Sequence, residues 1–206
     1  YCEANVFPEE KYKSIGEKDW EYRTFFNVDK KFLEKFERIE LVFEGLDTYA
    51  KVYLNGKLIL EADNFFRSWV VPCRNELRPG QNVLRVVFVS PLKINRKKAL
   101  NYPYRKPVAE YVFSRKPAYH FGWDWAPALV PQGIWKPVYL RGWKDAWLED
   151  MQIYQKEVSE KRALLTFFFE IFATGRQKAT LLVHSHKLKE KFKKQVFLSK
   201  GINRVE

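Results

Sequence analysis

Ile39-Glu40-Leu41-Val42-Phe43-Glu44-Gly45-Leu46-Asp47-Thr48-Tyr49-Ala50-Lys51-Val52-Tyr53-Leu54-Asn55-Gly56-Lys57-Leu58-Ile59-Leu60 is the stretch that decides the fold. Ile39, Leu41 and Phe43 alternate with Glu40, Val42 and Glu44. Ala50, Val52 and Leu54 then run into Asn55-Gly56, and Leu58 and Leu60 follow. A period of two puts successive side chains on opposite faces of a strand. Asn-Gly between two such runs is the strongest short hairpin signal, since both residues tolerate positive φ in a type I′ turn.

The same pattern extends outward. Trp20, Tyr22, Thr24 and Phe26 share one face of an earlier strand, with Glu21 and Arg23 on the other. Arg78-Pro79-Gly80 reads as a turn feeding a strand from Asn82 to Val89. Helical periodicity is hard to find, so several short strands separated by turns predict an all-β sandwich. Trp20, Trp69 and Trp135 sit in strand patterns and are expected in the core.

The middle is different. From Ser90 to Gln132 there are six prolines (Pro91, Pro103, Pro107, Pro117, Pro127, Pro131) and no strand pattern. A loop this long in a compact domain is functional or disordered, and its aromatics from Tyr102 to Trp125 argue against disorder. Strand patterns resume at Ile134–Leu140 and Trp147–Ile153. A last phase, Ala163–Phe172, Ala179–His184 and Val196–Leu198, predicts three strands of a second β domain. Three or four strands do not close an immunoglobulin-like sandwich of about seven. The expectation is a first domain over 1–146 and part of a second over 147–206.

Composition sets outer limits. A hydrophobic share of 46% supplies a real core and argues against disorder. The net charge of +12 raises nucleic acid as a partner. The 37 Lys and Arg are, however, interspersed with 25 Asp and Glu, and the densest run, Lys187–Lys194, is broken by Leu188, Glu190 and Phe192. With no nucleic-acid motif, the excess reads as a heavily charged surface. No stretch is apolar for long enough to span a membrane, and Tyr1 to Glu21 does not read as a secretory signal. Cys2 and Cys73 read as two reduced thiols, which favours a cytoplasmic setting.

Val42–Lys57, Asp63-Asn64-Phe65-Phe66-Arg67-Ser68-Trp69 and Leu77–Leu84 together resemble the jelly-roll, galactose-binding-like domain of glycoside hydrolase family 2. Tyr119-His120-Phe121-Gly122-Trp123-Asp124-Trp125-Ala126-Pro127 and Gly133–Val138 are similar to the β-mannosidase branch of that family, which usually has Gly where this chain has Ala126. The resemblance implies a jelly-roll sandwich followed by an immunoglobulin-like domain, and then a (β/α)₈ barrel carrying two catalytic glutamates. No alternating strand and helix pattern follows Ala163, so no catalytic residue is assigned in this chain. The implied partners are a β-mannoside oligosaccharide and the enzyme's own barrel, with no cofactor and no metal.

Chemistry singles out Trp123 and Asp124. A mannoside has an apolar ring face and a belt of hydroxyls, so its pocket needs an aromatic wall and a hydroxyl acceptor. A carboxylate accepts charge-assisted bonds from two adjacent hydroxyls. The family resemblance implies that Trp123 and Asp124 reach the catalytic pocket. Other readings stand beside this one. Trp123 and Trp125 could be core, Asp124 a turn residue or a partner for Arg67 or Arg115, and His120 a structural histidine. Glu61, Asp63 and Glu110 have no positional support as acid/base groups. The alternatives to a β-mannosidase are an exo-β-glucosaminidase of the same family and an autonomous carbohydrate-binding module.

Overall fold

The computed structural model describes residues 9–104, 110–184 and 191–206, with side chains described from Tyr12 onward and not at Glu110. Cys2, Pro107 and the Lys187–Glu190 part of the basic run lie outside the described residues. In chain order the elements are α1 (Glu9–Gly16), β1 (Trp20–Val28), α2 (Lys30–Lys35), β2 (Arg38–Phe43), β3 (Leu46–Asp47), β4 (Tyr49–Leu54), β5 (Lys57–Asp63), β6 (Trp69–Pro72), β7 (Gly80–Val89) and α3 (Pro91–Leu100). Two 3₁₀ turns, Glu110–Phe113 and Ala118–Phe121, precede β8 (Gly133–Ile134) and β9 (Val138–Trp143). Then come β10 (Ala146–Val158), β11 (Ala163–Ala173), β12 (Gln177–His184), β13 (Lys191–Leu198) and β14 (Gly201–Val205). The described chain divides into two compact units, which exchange at Gly142/Trp143 apart from the short segment Phe36–Arg38.

The first unit holds two main sheets, of order β1-β7-β4-β5 and β6-β2-β9. Alternation decides which face of each is buried. Ala50, Val52 and Leu54 of β4 and Leu84, Val86 and Phe88 of β7 are buried, as are Ile39, Leu41 and Phe43 of β2 and Val71 of β6. Each sheet thus has an apolar face that must be covered, and these residues form the core of an antiparallel β-sandwich.

Turn chemistry sets the register. Asn55 and Gly56 have φ of 51° and 88°, as a type I′ hairpin requires. The Asn55 side chain donates to the Glu76 carbonyl at 2.7 Å and to Asn82 Oδ1 at 2.8 Å, and accepts from the Val83 amide at 2.9 Å. Asn82 in turn donates to the carbonyls of Arg78 (2.8 Å) and Gly80 (2.9 Å). The two asparagines satisfy each other and lock two turns together, which explains a buried amide in an apolar core.

Three expectations need correction. The segment after Ser90 opens with a helix, α3, rather than an irregular loop. Ser90 caps it, accepting from the Lys93 amide at 3.4 Å, and Pro91 starts it. The helix buries only Pro91, Asn95 and Ala99. That narrow stripe of small and polar residues carries no visible apolar periodicity, which is why the sequence hid it. Among the described residues the second unit has five strands, β10 to β14, because β13 begins at Lys191 among charged residues and β14 is short and opens on a glycine. The tryptophans expected in the core are not there. Trp20 is 40% exposed and Trp135 is 44% exposed, and Trp69 is half-buried. Their indoles lie along the surface: Trp20 donates to the Ile15 carbonyl at 3.1 Å, and Arg67 sits 4.4 Å over Trp69. Trp135 stacks on Phe65 at 4.4 Å and passes so close to Gly45 that a side chain there would run into its ring.

In the second unit β10-β11-β14 form one sheet and β12-β13 pair as a hairpin. Ile171, Ala173, Val196 and Leu198 form its core. Cys73, in the first unit, is a buried free thiol whose pKa burial pushes up to about 12, so it stays protonated.

Candidate functional site

The structure puts Trp123 and Asp124 at the tip of a tight hairpin. The Trp123 amide donates to the Ala126 carbonyl at 3.0 Å, and the Ala126 amide returns to the Trp123 carbonyl at 3.1 Å. Asp124 and Trp125 therefore occupy the two turn positions. Gly122 enters the hairpin at φ 98°, a backbone that only glycine adopts without strain. Ala126 is not among the positive-φ residues, so its backbone does not call for glycine.

Both tryptophans point away from the core, Trp123 53% and Trp125 81% exposed. Asp124 is exposed and forms no side-chain hydrogen bond or ion pair among the described residues. Neither Arg67 nor Arg115 pairs with it. An indole face and a free carboxylate on adjacent residues are the two groups that a sugar ring needs, and here the protein leaves both unused. Glu61 instead pairs with Lys51 at 3.1 Å on an exposed strand.

The loop that carries the hairpin also contributes Lys116 and His120 to a buried polar cluster around Asp47, which no periodicity in the sequence marks. Asp47, on β3, is buried, and so is Lys116, whose Nζ lies 2.5 Å from Asp47 Oδ1. Lys116 also donates to the Pro131 carbonyl at 2.8 Å, and the Thr48 hydroxyl donates to Asp47 Oδ1 at 2.5 Å. His120 Nδ1 faces Asp47 Oδ2 at 3.8 Å, too far for a hydrogen bond, and has no other partner among the described residues. The His120 ring meets Phe65 edge-on at 5.8 Å. Burial drives the Lys116 pKa below its ordinary value, with the Asp47 charge opposing the shift. The available signal was a lone Asp in the strand-like run Leu46-Asp47-Thr48-Tyr49-Ala50, a place where a buried charge must find a partner.

Burial, and then the Lys116 charge, also lower the His120 pKa below 6.5, against the pull of Asp47. His120 is thus neutral in the fold at neutral pH and behaves as a structural histidine. Below about pH 6.5 the unfolded chain takes up a proton that the folded chain refuses, so the stability from this site falls as pH drops. Urea unfolding at pH 7.5 and pH 5 should therefore show a smaller loss on acidification in His120→Phe than in the wild type.

Comparison with known proteins places the chain in a family. The family model for the glycosyl hydrolase 2 galactose-binding domain-like fold matches residues 6–136. A β-mannosidase B of Emericella nidulans is 38% identical over 145 residues, covering 66% of this chain and 17% of that protein. A β-mannosidase B of Thermothelomyces thermophilus is 33% identical over 183 residues, 81% of this chain and 21% of that one. The chain thus spans about a fifth of the length of these relatives. The crystal structure of a β-D-mannosidase from Dictyoglomus thermophilum is similar with a TM-score of 0.83 and 34% identity, over 96% of this chain and 25% of that one. An exo-chitosanase of Amycolatopsis orientalis, at 22% identity and a TM-score of 0.65 over 98% of this chain and 21% of its own, shares the fold. On the family match and these identities, the chain belongs to glycoside hydrolase family 2 through its galactose-binding-like domain.

Proposed function

We propose that this chain is the front part of an exo-acting, retaining β-mannosidase that removes terminal non-reducing β-D-mannose from oligosaccharides. Residues 1–146 act as the jelly-roll sugar-binding-like domain, and 147–206 open an immunoglobulin-like domain. The part is non-catalytic: the two carboxylates of a retaining glycosidase belong to a barrel outside it. Its work is to buttress that barrel and to close the non-reducing end of the pocket with Trp123 and Asp124, which makes the enzyme exo-acting. The observation that carries this reading is the hairpin tip, where an indole and a carboxylate face outward with no partner of their own among the described residues. The mannosidase rather than glucosaminidase assignment is supported by identities of 33–38% to β-mannosidases, against 22% to the exo-chitosanase.

The chain produced alone should show no turnover of an aryl β-mannoside above a mock purification, and no tight mannose binding by calorimetry. One wall of a pocket buries too little of a ligand to hold it. Turnover by the chain alone would place catalytic groups inside it. Tight, saturable mannose binding would favour an autonomous carbohydrate-binding module.

A further inference from the structure

Lys116 closes the loop that carries Trp123 and Asp124. Its ammonium reaches Asp47 on β3 and the Pro131 carbonyl at the far end of the loop. β3 pairs with β8 through Asp47↔Gly133, two residues past Pro131. One cation therefore ties the start of the loop, its end and the sheet edge to a single point. The other Asp47 oxygen faces His120, three residues before Trp123 in the 3₁₀ turn Ala118–Phe121. From the His120 ring, contact continues to Phe65 and on to Trp135.

Stability alone does not explain this arrangement. Taking two charges out of water is expensive, and an apolar pair of similar volume is as good or better for folding. What the ion pair adds is direction: an ammonium with several donors fixes the angle and distance of each group it holds. Direction matters where a displacement of about 1 Å costs about a hundredfold in rate.

We infer that Asp47, Lys116 and His120 are positioning residues, which set the Trp123–Ala126 hairpin at the height and angle its two outward groups need. The inference rests on the reading that Trp123 and Asp124 line the substrate pocket. The test uses the full-length protein carrying Asp47→Leu and Lys116→Met together, which removes both charges and leaves no buried charge alone, at the cost of one partner each for the Pro131 carbonyl and the Thr48 hydroxyl. Hydrogen–deuterium exchange of the peptide spanning residues 119–128 should accelerate by at least about tenfold, with β4 and β7 unchanged. The kcat/KM on an aryl β-mannoside should fall by at least about tenfold, with the melting temperature near that of the wild type. Wild-type exchange across 119–128 overturns the inference. So does faster exchange with undiminished kcat/KM in a protein that Asp124→Ala damages. Faster exchange in a protein indifferent to Asp124→Ala keeps the positioning role and removes the pocket reading instead. Should the double variant fail to fold, His120→Leu is read on the same peptide, where unchanged exchange again overturns the inference.

Discussion

Asp124→Ala in the full-length protein should lower kcat/KM on β-mannosides by about a hundredfold or more, with an unchanged melting temperature. A carboxylate that accepts from two sugar hydroxyls makes two charge-assisted bonds, each worth about 1.5–3 kcal/mol. Every 1.4 kcal/mol is about tenfold, so losing both gives the stated effect. Part of the loss should fall on kcat, because these bonds tighten as the ring distorts towards its transition state. The exposure of Asp124 and its lack of partners make the thermal part of the prediction specific. Nothing in the described fold leans on this side chain, so its removal should not unfold the domain. Steady-state kinetics and a thermal melt on the same sample check both halves. Wild-type kcat/KM in a folded Asp124→Ala enzyme would take the residue out of the site.

Lys116→Met alone should destabilise the chain by about 3–5 kcal/mol, since it leaves the Asp47 carboxylate buried without its cation. That corresponds to a melting temperature lower by on the order of 10 °C for a chain of this size. Urea unfolding gives the free energy directly. Adding Asp47→Leu should restore most of the loss, because the damage comes from the stranded charge and not from the missing side chain. A Lys116→Met protein as stable as the wild type would show that Asp47 finds another partner or takes up a proton.

Much of the fold was legible in the order of residues, for local reasons. The alternation in β2, β4 and β7 names the buried face of each strand, because neighbouring side chains must point to opposite sides of a sheet. Asn55-Gly56 names its turn, because few other pairs adopt the required φ values. Tryptophan carries no such address. Trp20 and Trp135 lie in strands or beside them yet run along the surface, since an indole with a polar edge is satisfied half-wet. The helix α3 announced itself only through Ser90-Pro91, a cap signal with no apolar stripe to support it.

The candidate site divides in the same way. Trp123-Asp124 is a local pair, and the chemistry of two adjacent residues can be read without knowing where they stand. Residue order alone yields the strands of the first sandwich, the Asn-Gly turn, the family and this one indole–carboxylate pair. That the pair sits on a hairpin tip facing outward, and that Lys116, Asp47 and His120 come together in the loop that carries it, emerges from the fold. Lys116 lies 69 positions from Asp47. No periodicity or turn preference links residues so far apart, because their meeting depends on where two sheets and a proline-stiffened loop come to rest, and on the demand that a buried carboxylate find a cation.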